Sequence, residues 1–361
     1  MKKGRILQSS TIGDGFPNRN QQNGKYKRMH NEIYTVYLAY LCFMKFKWLP
    51  LFLIILLGCI WGSSFMLIKR GLAVFSPIQV AGLRLFLAGM FLTPWVYRYT
   101  WGSKSMILDE KTGKKVKLLQ PKDYYYLFMT GLLGNAIPAF LFSTAGKLIP
   151  SGLSGILNAF TPMFTLIVGA LLYKSALSKN GFLGVLVGLI GAVFLLGPSI
   201  LGQEGMEINL SGALMALSAA VLYGYNINLI KIRLANIPPM AKTAFPFFFM
   251  GIMYAFVLWK TGTVESYQMH TAVTPGNFLP DNQFALLCVC ILGIIGSALS
   301  MIMFNYLIEH TTAVVASTNT FVIPIVAVAW GLFDQEPIHW NMIVGLLLSL
   351  VGVYLVMKKE S

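Results

Sequence analysis

Gly131-Leu132-Leu133-Gly134 returns 162 residues later as Gly293-Ile294-Ile295-Gly296, and the same offset carries most of the chain onto itself. Trp61-Gly62 falls on Tyr223-Gly224, Lys69 on Lys231, Ser76-Pro77 on Pro238-Pro239, Pro162 on Pro324 and Gly169 on Gly331. With a one-residue gap, Gly184 and Gly191 meet Gly345 and Gly352. Self-similarity at a fixed offset marks an internal repeat. Each copy holds five apolar segments of bilayer-crossing length. An odd number of spans forces the second copy into the membrane upside down relative to the first. Secondary transporters are built this way, with the site at the seam between the halves.

The composition agrees. Hydrophobic residues make up 56% of the 361 and charged residues only 11%, against roughly 25% charged in soluble domains. The apolar residues fall in runs of about 20, enough to cross a ~30 Å hydrocarbon core as a helix. Spans are predicted at 48–68, 77–97, 124–146, 151–173, 181–200, 211–231, 240–259, 284–308, 313–333 and 339–357. The fold class is an all-α polytopic membrane protein of ten transmembrane helices in two inverted five-helix repeats, 48–200 and 211–357. Residues 1–47 form a basic tail that reads as disordered, being polar and rich in Asn, Gln and Gly. Met44, whose short basic flank leads into the first apolar run, looks like a natural start. The expectation is that 1–43 is an artefact of start-site choice or a dispensable tail.

A net charge of +15 would suit nucleic acid, but its distribution follows the membrane. With the N-terminus cytoplasmic, 23 Lys and Arg fall on the cytoplasmic side and four (Lys69, Arg70, Lys147, Lys260) on the other. That is a strong positive-inside bias. The loops 98–121 and 260–283 occupy the same place in the repeat. The first carries Lys104, Lys111, Lys114, Lys115 and Lys117, the second only Lys260. Inversion predicts this contrast, and polynucleotide binding is set aside. Four cysteines provide no disulfide framework, and Cys288 and Cys290 point to different faces of one helix, a poor metal site. Neither a metal nor a cofactor is expected. The partners are a small-molecule substrate and the lipid bilayer.

Small residues mark close helix contacts. Gly184, Gly188 and Gly191, and their counterparts Gly345, Ser349 and Gly352, line one face of the fifth and tenth spans. In lipid such faces let backbones approach. They serve either an internal scaffold or a homodimer.

Several of these residues carry a resemblance. Trp61-Gly62-Ser63-Ser64-Phe65 with Lys69, Pro77 and Arg84 is similar to the opening of an EamA-type repeat of the drug/metabolite transporter superfamily. Asn158-Ala-Phe-Thr-Pro162 and Asn319-Thr-Phe-Val-Ile-Pro324, each followed by a glycine-patterned helix, resemble its close. Two such repeats cover about 48–357. The resemblance implies ten helices, both termini cytoplasmic, and a central cavity lined by the first, third, fourth, sixth, eighth and ninth. It also implies movement of amino acids, other metabolites or drugs, often outward. One departure stands out. The family carries a Glu after the fourth span of each copy, whereas this chain has Glu336 in the second copy and Ser175 in the first. The two gates are therefore chemically unequal.

Polar groups at membrane depth are costly and invite a reason. Asn158 and Asn319 precede Pro162 and Pro324, where a missing helix hydrogen bond frees carbonyls. Each Asn can serve a zwitterion or polyol, or simply its own helix. Asn226, Asn228, Tyr223 and Tyr225 form the most polar intramembrane cluster, with Ser64, Met66, Trp61 and Ser63 as counterparts. Trp61 and Tyr223 suit a pocket wall. Asn135 and Ser297, each following a glycine, face the interior. The candidate substrate-binding set is Trp61, Ser64, Asn135, Asn158, Tyr223, Asn226 and Asn319. Arg84, seven residues beyond Pro77, can bind a carboxylate or fill a structural role. Lys69 and Lys231 end equivalent helices and read as gate anchors.

Absences discriminate further. With Asp, Glu and His missing from mid-span, exchange of a proton for a lipophilic cation lacks its carrier. Phosphorylated sugars would need more cavity cations than Arg84. The reading is a secondary transporter, exporting small neutral or zwitterionic metabolites such as amino acids across the cell inner membrane. The alternative is a proton-coupled efflux permease for drugs or other metabolites. A membrane enzyme lacks a zinc-ligand set or a nucleophile and base, and a receptor role would leave the repeat unused.

Overall fold

The computed structural model describes residues 48–102, 105–108, 115–174, 178–200, 208–274, 279–310 and 319–358. The expectations about the basic tail, about Ser175 and about Lys104, Lys111 and Lys114 fall outside these residues. Phe52–Ser361 form one compact unit, and the architecture is that of this unit.

In chain order the helices are α1 Leu49–Gly71, α2 Pro77–Thr100, α3 Pro121–Leu148, α4 Ser151–Tyr173, α5 Lys179–Ile200, α6 Leu210–Arg233 and α7 Pro239–Lys260. There follow the short α8 Thr263–Met269, then α9 Asp281–Leu307, α10 Asn319–Phe333 and α11 Trp340–Met357. Nine of them, among the described residues, are long and apolar enough to cross a membrane. The apolar α10 has 15 residues, about 22 Å of rise; the first residues of its predicted span lie outside the described ones. One departure from an all-helical reading is a small antiparallel hairpin, β1 Met106–Leu108 against β2 Lys115–Lys117. Its alternation is too brief to register in the sequence.

Helix starts are set by local chemistry. Before α2, the Ser76 N–H donates to Gln79 Oε1 at 2.9 Å, and Pro77 occupies a first-turn position that needs no donor. Ahead of α3, the Gln120 N–H donates to Asp123 Oδ2. Asn209 Oδ1 accepts from the Gly212 N–H at the head of α6.

Glycine sets how the helices meet. A Cβ at Gly82 would fall 2.9 Å from side-chain atoms of Leu258 and Tyr254, whereas one at Gly89 would meet Phe247 O at 2.6 Å and Gly251 Cα at 3.2 Å. As α2 ascends, its neighbours on α7 descend, so α2 and α7 pack antiparallel. The same holds for α5 and α11, where Gly184 abuts Gly352 and Gly191 abuts Gly345. The small-residue faces expected to form a scaffold or a homodimer are thus buried against each other within one chain. Both antiparallel pairs consist of helices equivalent by sequence offset.

Candidate functional site

Two helices change pitch at the same point of the repeat. α3 contains a π turn at Leu132–Ala136 and α9 one at Ile294–Leu299, starting 162 residues apart. A π turn lengthens the hydrogen-bonded ring and unsettles carbonyls, and such turns are frequent at functional sites. The two copies reach it by different chemistry. In α3, Pro138 follows the turn and brings no N–H to the ladder. In α9, hydroxyls serve the carbonyls. Ser297 Oγ donates to Leu292 O at 3.0 Å, and Ser300 Oγ shares its proton between Gly296 O and Ser297 O at 2.8 and 3.2 Å.

Around these turns the contacts repeat. A Cβ at Gly131 would lie 2.8 Å from Pro246 O, and one at its counterpart Gly293 would lie 2.9 Å from Arg84 O. Gly134 packs directly on the Asn226 amide, while Gly296 packs on Ser64 Oγ at 3.3 Å. Arg84 and Pro246 are equivalent, as are Ser64 and Asn226. Each turn is therefore closed by helices of the opposite repeat, and the polar groups collect at the seam.

The candidates fall into two groups. Trp61 Nε1 donates to Ser300 Oγ at 3.0 Å, and its ring meets Phe304 edge-on at 5.3 Å. Arg84 Nε donates to Ser297 Oγ at 2.7 Å. Arg84 and Tyr223 lie within electrostatic reach of each other. The Tyr223 ring stacks on Phe142 at 6.0 Å, and Phe142 meets Phe65 at 5.4 Å. Asn135 sits half-buried within the first π turn, next in sequence to Gly134, the residue that packs on Asn226. Asn226 Oδ1 is buried without a hydrogen-bond partner among the described residues. Trp61, Arg84 and Tyr223 thus form one network at the second π turn, while Asn135 and Asn226 lie at the first. Ser64 borders the network but is 6% exposed, and its hydroxyl is used by Ile60 O within α1.

Asn158 and Asn319 stand apart from it. α4 breaks at Ala159–Phe160, and Thr161 Oγ1 donates to Asn158 O at 2.8 Å and weakly to its Oδ1 at 3.5 Å. Asn319 is 2% exposed, and its Nδ2 lacks a partner among the described residues. No hydrogen bond among those residues joins either Asn to the network.

One end of the bundle is latched. Lys69, at the end of α1, pairs with Glu336 in the turn between α10 and α11. Arg70 pairs with Asp334. Glu336 also caps α4, accepting from Ser151 N (3.0 Å), Ser151 Oγ (3.0 Å) and Gly152 N (3.2 Å). The positive pole of that helix favours an anion there. Burial pushes the Glu336 carboxyl up, but the Lys69 ammonium and the Ser151 and Gly152 amides outweigh it and hold the carboxyl below its ordinary value. Lys231, the counterpart of Lys69, is exposed and unpaired among the described residues, and Arg233 near it lies over the Tyr126 ring at 5.5 Å. Sequence reading named Lys69 a gate anchor but missed Asp334, Ser300, Phe142 and Phe304. Ser297 and Ser300, one turn apart on α9, offered a signal for the second of these.

A seam of polar groups inside a bundle of bilayer-length apolar helices defines a class. The chain is a multi-pass membrane protein. The EamA-like transporter family model matches residues 48–197 and again 210–358, and the chain belongs to that family. A transporter of Archaeoglobus fulgidus is 24% identical over 87% of this chain and 99% of its own. The inner membrane transporter YedA of Escherichia coli K12 is 25% identical over 80% of this chain and 84% of its own. A Salmonella typhimurium protein named "Probable amino-acid metabolite efflux pump" is 28% identical over 47% of this chain and 49% of its own. A solved crystal structure matches the fold with a TM-score of 0.52 and 17% identity, covering 85% of this chain and 96% of that one.

Proposed function

We propose that the chain is a secondary transporter of ten spans, with α10 as the ninth, arranged as two inverted five-helix repeats over 48–200 and 211–357. It exports small neutral or zwitterionic metabolites, such as amino acids, across the cell inner membrane by alternating access, with both termini cytoplasmic. The observation that carries this reading is the antiparallel packing of equivalent helices, α2 on α7 and α5 on α11. Two antiparallel copies around one seam have two nearly equal states, each open to one side. The Lys69–Glu336 and Arg70–Asp334 pairs, set against a Lys231 without an ion pair among the described residues, fit a conformer shut at one end. The similarity to a protein named as an amino-acid metabolite efflux pump favours amino acids.

Counterflow in proteoliposomes tests this. A panel of radiolabelled amino acids and neutral metabolites is offered with and without a pH gradient. Exchange of at least one zwitterion, insensitive to collapse of the gradient, is the expected result. Absence of exchange for the whole panel would remove the transport reading.

A further inference from the structure

Arg84 carries a guanidinium seven residues into α2, about 10 Å of helix rise from Pro77. A charge at that depth is expensive unless it is paired or reaches water. Snorkelling to the membrane surface is not its solution, because Nε is turned inward onto Ser297 Oγ, a hydroxyl 2% exposed within the second π turn. That hydroxyl is itself fixed by donating to Leu292 O. One edge of the guanidinium is therefore clamped.

The opposite edge is free. Nη1 and Nη2 have no hydrogen-bond partner or ion pair among the described residues, and neither is among the polar atoms sealed from solvent. A clamped guanidinium with its end-on fork open matches the two oxygens of a carboxylate. Tyr223 lies within electrostatic reach, and its hydroxyl likewise has no partner among the described residues. A phosphate monoester, near two negative charges at neutral pH, would ask for more cation than this one group supplies.

The neighbouring turn of α6 supplies the complementary half. Asn226 follows Tyr223 by three residues, on the same helix face. Its Oδ1 is an acceptor sealed from solvent in this conformer and without a donor among the described residues, a costly state that a ligand ammonium would relieve once the seam opens.

We infer that Arg84 and Tyr223 form a carboxylate-binding subsite, with Ser297 positioning the guanidinium and Asn226 Oδ1 receiving an ammonium group. The inference rests on the transport reading and sharpens it: the ligand must present a carboxylate, and amines alone are rejected.

The test uses the full-length protein in proteoliposomes with L-leucine, L-threonine and L-phenylalanine, together with the amides and decarboxylated amines of each. The subsite requires exchange of at least one amino acid, with its amide and its amine at least tenfold slower. Arg84→Gln should lower that exchange at least tenfold, Arg84→Lys should retain an intermediate rate, and Ser297→Ala should raise the half-saturating concentration severalfold. Thermal melting in detergent should stay within a few degrees of wild type. If Arg84→Gln does not fold, the ligand series on the wild-type protein still decides. Amines or neutral metabolites exchanging as fast as amino acids would overturn the subsite and leave transport intact, as would wild-type rates in Arg84→Gln. No exchange of any solute would remove both.

Discussion

Gly89 and Gly251, 162 residues apart and equivalent in the repeat, touch each other across the α2–α7 contact. A residue in contact with its own counterpart sits on the axis relating the halves. A Cβ at Gly89 would meet backbone, Phe247 O at 2.6 Å and Gly251 Cα at 3.2 Å, and backbone cannot rotate away. Gly89→Ala should therefore destabilise the protein by about 1–3 kcal/mol, the usual cost of overpacking. The double variant Gly89→Ala/Gly251→Ala should depart from additivity, since one separation of the helices relieves both. Thermal unfolding in detergent measures each; a strictly additive pair would mean the helices do not share this contact.

Inversion makes a prediction about compartments. Position 110 follows α2 and position 270 follows α7, the counterpart of α2, yet the two loops should lie on opposite sides of the membrane. Phosphatase and fluorescent-protein fusions at the two positions should each be active in only one compartment, and never both in the same one. A shared compartment would end the inverted arrangement.

The spans were legible because bilayer-length apolar runs tolerate little else. The reciprocal halves were legible because small residues at seams recur at one offset, as Gly131 and Gly293 do. The π turns were less so: Pro138 announces one of them, while its counterpart Ser300 gives no such sign. Trp61 on Ser300 and Trp330 on Ser63 join residues more than 200 positions apart, which no local periodicity records. Asn158 and Asn319 are a different case. Their place beside proline drew attention, but the structure leaves both outside the network that joins Arg84 to Tyr223.

Glu336 predicts a pH dependence at one end of the bundle. Its folded-state value lies below the ordinary one, about 4.3 for Glu. The carboxylate therefore contributes its full stabilisation above that pH and loses it as pH falls through the lower, folded value. In wild type, accessibility of a cysteine introduced at Val74, buried in the turn after α1, should stay low at neutral pH and rise only under strong acid. Glu336→Gln should raise it at neutral pH already, by roughly fivefold or about 1 kcal/mol, a modest figure because the Lys69 side chain is 41% exposed and its pair is screened. Labelling with a membrane-impermeant maleimide reads out the comparison at pH 7, and a dipyridyl disulfide, which stays reactive toward thiols in acid, reads out the acid arm. Equal labelling of both proteins at pH 7 would show that Glu336 does not latch that end.

The two π-turn glycines should respond unequally to the same added methyl. At Gly296 a Cβ would come 3.3 Å from Ser64 Oγ, a small side chain already bonded within its own helix. A few tenths of an ångström of movement accommodates it. At Gly134 the methyl would overlap the amide of Asn226 itself, whose Oδ1 is enclosed and unpartnered. The amide must rotate away or α6 must shift, and either disturbs the face shared with Tyr223. Gly134→Ala should therefore reduce exchange at least tenfold while melting within a few degrees of wild type, and Gly296→Ala should keep most of its rate. Asn226→Ala should match Gly134→Ala in rate, and combining the two should cost little more, because both remove the same acceptor. Paired counterflow and melting measurements on the four proteins decide it. Equal losses at the two glycines would mean that the symmetric packing governs transport, and the Asn226 amide does not.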